Sequence, residues 1–283
     1  MRPPAEAGSR VAIRGSDAPP AEPEPAEAAP PARLRALRWY DLGLLPAGAV
    51  SAAFIVATAA LLIDWYLNAP EGLGLRFWAR GTSATVWFAY TVELALYAGF
   101  ILTGFLLLRL RGYRLSGVYF APVGWRSLSA AGGLGAIFAG LFMWLLSLLP
   151  AETQQELMEK SELLSPSSSA EALTLFFIAV LLAPLAEELY FRGVMFRLLS
   201  SRISFVASAG LTAALFSLAH GHLFMLPGLG GWTLSILIFV VGFVLAGLAR
   251  LTGSLRASVI MHGVYNAVLV GPSVVALIAG WPA

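Results

Sequence analysis

Long apolar runs separated by short polar connections dominate the pattern along this chain. In order, they predict membrane-spanning helices at about residues 43 to 63, 85 to 108, 130 to 149, 172 to 188, 204 to 219, 232 to 249, and from 258 to the last apolar residues. Most approach the roughly twenty residues that cross a hydrocarbon core of about 30 Å. The final run reads either as one helix or as two shorter ones divided near Gly271 and Pro272, so the expected count is seven or eight. The fold class that follows is all-α, a polytopic transmembrane helix bundle. Gly132, Gly133, Gly135 and Gly140 in the third run predict close helix packing. Pro184 predicts a kink one turn before two adjacent carboxylates, Glu187 and Glu188. The stretch LYFRGVMFRLLSSR that follows them reads as an amphipathic or interfacial helix carrying Arg192, Arg197 and Arg202.

Between the spans, charge alternates in sign. Arg33, Arg35 and Arg38 precede the first, Arg109, Arg111, Arg114 and Arg126 follow the second, and Arg250 and Arg256 flank a later turn. The connection from 150 to 171 carries five glutamates against one base, Lys160. Under the positive-inside rule the basic connections and the amino-terminal tail are cytoplasmic, the acidic connection is external, and the chain is a multi-pass protein of the cell membrane. Residues 1 to 38, rich in Pro, Ala and Glu, are expected to form a disordered tail. They do not read as a cleavable signal, since the first apolar segment starts late and is too long for a signal core. Residues 39 to 168 then hold the amino-terminal transmembrane helices, and residues 169 to 283 a catalytic core within the same bundle.

Composition agrees. Hydrophobic residues make up 58% and charged residues 12%, against about 25% charged in a soluble domain, and the mean hydropathy is +0.78. A net charge of +2 is too small to suggest nucleic acid as a partner, which leaves membrane lipids. The absence of cysteine excludes disulfides and a thiol nucleophile. The three aspartates, Asp17, Asp41 and Asp64, are all far in sequence from the histidines, so no serine, histidine and aspartate triad is suggested.

The candidate chemistry lies in three polar interruptions of apolar sequence. Leu173 to Leu185 carries no charge, yet Glu187 and Glu188 follow at once, and an ionisable group at that depth is by default a functional hypothesis. A carboxylate in a small wet cavity can take a proton from water as the water attacks a carbonyl, then return it to the leaving amine. Adjacent helical residues point about 100° apart, so one glutamate can act as base while the other anchors structure. Arg192 is four residues beyond Glu188, on the same helix face. The bland alternative is a membrane-surface ion-pair cluster of both glutamates with Arg192 and Arg197. His220 and His262 lie in apolar segments that have no packing need for imidazole; each can donate to an oxyanion, orient water or bind a metal. Asn266 shares a face with His262 and can donate to the same oxyanion or position the ring. Zinc held by Glu187, His220 and His262 is an open alternative, without a local HExxH signature. His222, after Gly221, reads as peripheral, and Glu93 in the second span as an interior residue paired with another polar group.

Depth poses a difficulty. A straight helix puts His220 about 27 Å from Arg202, whereas His262 stands about 9 Å beyond Arg256; an interfacial helix, a steep tilt or displaced boundaries must bring the two together.

EELYFR, Glu187 to Arg192, resembles the EExxxR motif of the CaaX prenyl protease and bacteriocin-processing family of intramembrane proteases. FSLAH, Phe216 to His220, resembles its FxxxH motif, and HGVYN, His262 to Asn266, its HxxxN motif. The resemblance covers about residues 170 to 270. It implies a bundle of about eight helices with a membrane-embedded peptidase site. In it, Glu187 would activate water, His220 would orient the water or the glutamate, and His262 and Asn266 would stabilise the oxyanion, with Glu188 and Arg192 in support. It also implies a protein or peptide substrate, prenylated and membrane-anchored in some relatives, and glutamate chemistry without a metal, zinc being the alternative. A nonproteolytic membrane scaffold or immunity factor of the same fold is the competing function.

Overall fold

The computed structural model describes residues 37 to 280 apart from 84, 114, 115, 117 to 119, 163 to 165 and 227. Nearly all of the expected disordered tail, with Arg33, Arg35 and Arg114, lies outside the described residues, as do the side chains of Lys160 and Glu162. Among the described residues the chain is helical, with no strand. Ten elements follow in order: α1 Asp41–Asn68, α2 Leu75–Thr82, α3 Val86–Leu110, α4 Trp125–Ser147, α5 Ala151–Glu162, α6 Ser169–Ser200, α7 Phe205–Ala219, α8 His222–Met225, α9 Leu229–Thr252 and α10 Leu255–Ile278.

The protein is a polytopic membrane helix bundle. Six helices, α1, α3, α4, α6, α9 and α10, are long and apolar enough to cross a membrane, and α7 is apolar but only 15 residues long. The final segment is one helix that runs through Pro272, not two. Proline removes one backbone donor, a loss that packed neighbours make tolerable in a membrane helix. The largest departure from the expected elements is α6, a helical stretch of 32 residues that continues well past Glu188. The expected interfacial helix is therefore the second half of α6, and it is buried: Leu189, Val194 and Leu198 are at most 1% exposed and Arg192 is 2% exposed. Apolar residues on every side of this segment, at Leu189, Phe191, Val194, Met195 and Phe196, give it no face to offer to water.

The helices associate in three close pairs, α1 with α3, α4 with α10 and α7 with α9, with α6 in contact with α3, α7 and α10. Small residues make the pairs close, as expected where lipid gives no hydrophobic drive to helix association. A Cβ on Gly99 of α3 would stand 2.9 Å from the Ala49 Cα of α1, and one on Gly242 of α9 would stand 3.1 Å from the Phe216 ring of α7. Of the four glycines in α4, Gly135 carries the contact, since a Cβ there would collide with the Met261 carbonyl, whereas Gly133 and Gly140 face open space. Gly253, at φ +61°, ends α9 in the left-handed conformation and reverses the chain into α10.

The basic connections meet at one end of the bundle. Arg111, just after α3, bonds Asp41 at the start of α1 (Nε to Oδ2, 3.0 Å), while Arg202, just after α6, lies over the Trp39 ring at 5.0 Å. Ser254 in the α9–α10 reversal donates to the Ala121 carbonyl at 2.9 Å, ahead of α4. The acidic helix α5 packs at the opposite end of α9, where Thr153 and Leu157 approach Gly230. Glu93 does not take the interior paired position expected of it; it is exposed and has no hydrogen bond or ion pair among the described residues.

Candidate active site

The site is built where α6 departs from regular α-helix. Residues Ile178–Leu182 form a wide turn with i→i+5 hydrogen bonding, in which the Ala183 N–H donates to the Ile178 carbonyl. Pro184 follows it, and because proline has no N–H it cannot pair with the Val180 carbonyl one turn back. Buried carbonyls freed in this way need other partners. The Ala179 carbonyl accepts from the Asn266 amide of α10 at 2.7 Å. The Val180 carbonyl faces Gly263, where a Cβ would come within 2.8 Å. The kink expected at Pro184 is thus a widened turn into which the HGVYN segment docks.

A second wide turn, Leu189–Phe196, begins directly after the two glutamates. Within it Arg192 donates from Nη1 to Glu188 Oε1 at 2.8 Å and from Nη2 to the Gly242 carbonyl at 2.9 Å. Its guanidinium also sits 4.4 Å from the centre of the Phe216 ring. The same Glu188 Oε1 accepts from His262 Nδ1 at 3.1 Å. Both side chains of the Glu188–Arg192 pair are fully buried, so this is not a membrane-surface cluster; it is a buried ion pair that ties α6 to α9 and α10. Each charge there requires its partner, because an unpaired buried charge is strongly destabilising.

Glu187 points elsewhere, as a 100° step demands. Its Oε1 accepts from the Tyr97 hydroxyl of α3 at 3.3 Å. Its Oε2 is buried, has no hydrogen-bond partner among the described residues, and lies 3.8 Å from His262 Nε2. His262 therefore stands between the two carboxylates: Nδ1 is committed as donor to Glu188, and Nε2 faces Glu187. His220 ends α7, and its Nδ1 is 2.8 Å from the Phe216 carbonyl. A carbonyl only accepts, so Nδ1 carries the proton and Nε2 of the neutral ring is an acceptor. The His220 and His262 rings pack against the same Phe216 ring, at centroid distances of 4.6 and 5.8 Å. The depth mismatch expected between the two histidines is thus absent.

Two cavities meet at His220. One of about 570 Å³ lies between α1, α3, α6 and α7, lined by Glu187, Tyr97 and His220 together with apolar residues such as Val50, Leu96 and Phe100. The other, about 180 Å³, is lined by His220, His222, His262, Asn266 and Tyr265. His220 lines both cavities, Glu187 the larger and His262 the smaller, and Glu187 Oε2 and His262 Nε2 are 3.8 Å apart. His222 borders the smaller cavity with its ring 6.2 Å from that of His220. Burial, then the neighbouring His220, lowers its pKa from the ordinary histidine value. Asn266 uses one amide hydrogen on Ala179, which leaves its second N–H and its carbonyl for the cavity. No three His, Asp or Glu side chains among the described residues are grouped to hold a metal ion, and Glu187, His220 and His262 do not form such a set.

Tyr97 was not singled out from the sequence. It sits in an apolar run, and nothing in its spacing points to a glutamate 90 positions away. Phe216 is likewise more than a motif letter, since its carbonyl orients His220 and its ring contacts Arg192 and both histidines.

Residues 169–268 match the model of the Rce1-like family, described as Type II CAAX prenyl endopeptidase Rce1-like. The matched segment contains Glu187, Glu188, Arg192, His220, His262 and Asn266, and excludes Tyr97. No curated protein and no solved structure matches the chain.

Proposed function

We propose that this membrane helix bundle, whose residues 169–268 are of the Rce1-like family of CAAX-type intramembrane endopeptidases, hydrolyses a peptide bond through water activated by Glu187. The observation that carries the reading is the unpartnered Glu187 Oε2, a buried acceptor 3.8 Å from His262 Nε2, on a residue that itself lines a cavity. A general base must have one oxygen free for the proton it takes. The other Glu187 oxygen is held by Tyr97, which fixes the carboxylate in place.

In this mechanism a water donates one hydrogen to Glu187 Oε2 and the other to the acceptor Nε2 of His220. Its oxygen attacks the scissile carbonyl while Glu187 removes the proton. The carbonyl oxygen becomes an oxyanion that accepts from His262, protonated at Nε2 and steadied at Nδ1 by Glu188, and from the second amide hydrogen of Asn266. Glu187, now protonated, gives its proton to the leaving amine and returns to its starting state. Arg192 supports this chain by holding Glu188 Oε1 in place through its Nη1 hydrogen bond. The substrate is a protein or peptide reached from the lipid phase through the apolar walls of the larger cavity, and a membrane-anchored segment suits them.

The mechanism as proposed takes no step through a metal, and zinc held by Glu187, His220 and His262 is the alternative that the test below separates from it. The test is cleavage of a library of membrane-proximal and prenylated peptides by purified protein in lipid, with and without a chelator. Glu187→Gln is expected to lower kcat by a factor of at least about 10² while the protein remains folded, and chelation is expected to leave wild-type cleavage intact. Undiminished cleavage by Glu187→Gln would remove the proposed base; loss on chelation alone would restore the zinc alternative.

A further inference from the structure

Two polar side chains that line the smaller cavity, His222 and Tyr265, take no part in the proposed hydrolysis. Tyr265 is 6% exposed, and its hydroxyl has no hydrogen-bond partner among the described residues. A buried hydroxyl without a partner is costly, and phenylalanine would fill the same space in this membrane helix without that cost. Packing therefore accounts for the ring and not for its oxygen.

The position of Tyr265 on α10 puts that oxygen beside the reaction. His262, Tyr265, Asn266 and Leu269 follow at i, i+3, i+4 and i+7, the spacing of one helix face, and all four line the smaller cavity. The Tyr265 ring stands edge-on to that of Phe142 on α4, at a centroid distance of 5.9 Å and an angle of 85°, and Phe142 lines the same cavity. Close backbone packing fixes the root of the side chain, since a Cβ on Gly135 would stand 3.1 Å from the Tyr265 amide nitrogen. The hydroxyl is thus carried on a rigid stripe with His262 and Asn266, the two donors to the oxyanion. Three residues of helix rise about 4.5 Å. That step from His262 to Tyr265 is close to the spacing of about 3.8 Å between successive residues of a peptide chain.

We propose, on the basis of the peptidase reading, that Tyr265 is a substrate-binding residue whose hydroxyl hydrogen-bonds the main-chain peptide group next to the scissile one, as the substrate chain enters the smaller cavity. A peptide group offers a carbonyl acceptor and an N–H donor whatever its side chains, and a phenol pairs with either. That peptide group does not react, so the bond is equal in the ground state and the transition state and acts on KM, not on kcat.

The experiment compares wild type, Glu187→Gln, Tyr265→Phe and Tyr90→Phe as purified full chains in lipid, by thermal midpoint and by steady-state cleavage. The probe is the membrane-proximal or prenylated library peptide that wild type cleaves fastest. Tyr90 on α3 is the control: it is 5% exposed, its hydroxyl also has no partner among the described residues, and it lines neither cavity. Tyr265→Phe is expected to keep or raise the thermal midpoint and to raise KM by about five- to tenfold, the loss of one hydrogen bond, with kcat unchanged. Tyr90→Phe is expected to keep both constants. Equal KM in Tyr265→Phe and wild type would overturn the assignment and leave the Glu187 mechanism intact. So would a lower midpoint with unchanged kinetics, the mark of a hydroxyl held within the protein, or a fall in kcat alone, which would put the hydroxyl on the reacting atoms. Undiminished cleavage by Glu187→Gln, or none by folded wild type, would remove the mechanism and this assignment with it.

Discussion

At the scale of single residues, the two adjacent glutamates divide their work by direction. Glu188 faces inward to Arg192 and His262, whereas Glu187 faces a cavity and Tyr97. Their replacements should therefore fail in different ways. Arg192→Met leaves Glu188 buried without its cation and is expected to cost about 3–5 kcal/mol of stability. The double variant Glu188→Leu, Arg192→Met should recover much of that, and unfolding titrations in detergent micelles would measure both. The double variant is still expected to lack peptidase activity, because His262 loses the carboxylate at Nδ1. Tyr97→Phe removes one hydroxyl and leaves the ring packing, so its stability should be near wild type. Its kcat is expected to fall by about five- to tenfold, the equivalent of one hydrogen bond of roughly 1 kcal/mol, with KM little changed in steady-state assays. The pairing of Glu188 with Arg192 was legible in the sequence because four residues make one helical turn. The pairing of Glu187 with Tyr97 was not, because no local spacing encodes it.

At the scale of elements, the wide turns in α6 do what a regular helix cannot. The turn at Ile178–Leu182 releases carbonyls that Asn266 and Gly263 of α10 meet, so the HGVYN segment is a docking motif as well as a source of polar groups. The turn at Leu189–Phe196 carries the helix onward through a buried segment that charge spacing alone suggested was interfacial. On the other face of α10, Gly135 of α4 permits backbone contact with Met261, one residue before His262. Gly135→Ala should force α4 away from α10 and destabilise the protein by roughly 1–3 kcal/mol, as overpacking does. A lowered thermal midpoint together with reduced activity would show that this seam holds His262 in place; Gly133→Ala, which meets open space, is the matched control.

At the scale of the whole molecule, the arginine-bearing ends of the helices gather at one end and α5 at the other, the arrangement that the alternation of charge predicts. The chain has no cysteine, so single cysteines report cleanly. Cysteines placed at Arg126 and Ser201 are expected to react with a membrane-impermeant maleimide from one side of sealed vesicles, and one placed at Glu156 from the other. Labelling of all three from the same side would refute this arrangement.

The sequence by itself determined that the chain is an all-α membrane bundle, where most spans begin and end, and which short motifs resemble those of a known family. Each of these depends on information that is local along the chain: hydrophobic run length, the sign of charge in connections, and spacing within one or two helical turns. It also put Glu187, His220, His262 and Asn266 forward as site residues, with no means of stating which contacts they make. Tertiary structure decided that Arg192 is buried, that Glu93 is exposed, that Asn266 holds a freed carbonyl of α6, and that a tyrosine from α3 completes the surroundings of Glu187. Those outcomes depend on which helix faces meet and how closely, and that follows from packing summed over the whole bundle and not from spacing within any one helix.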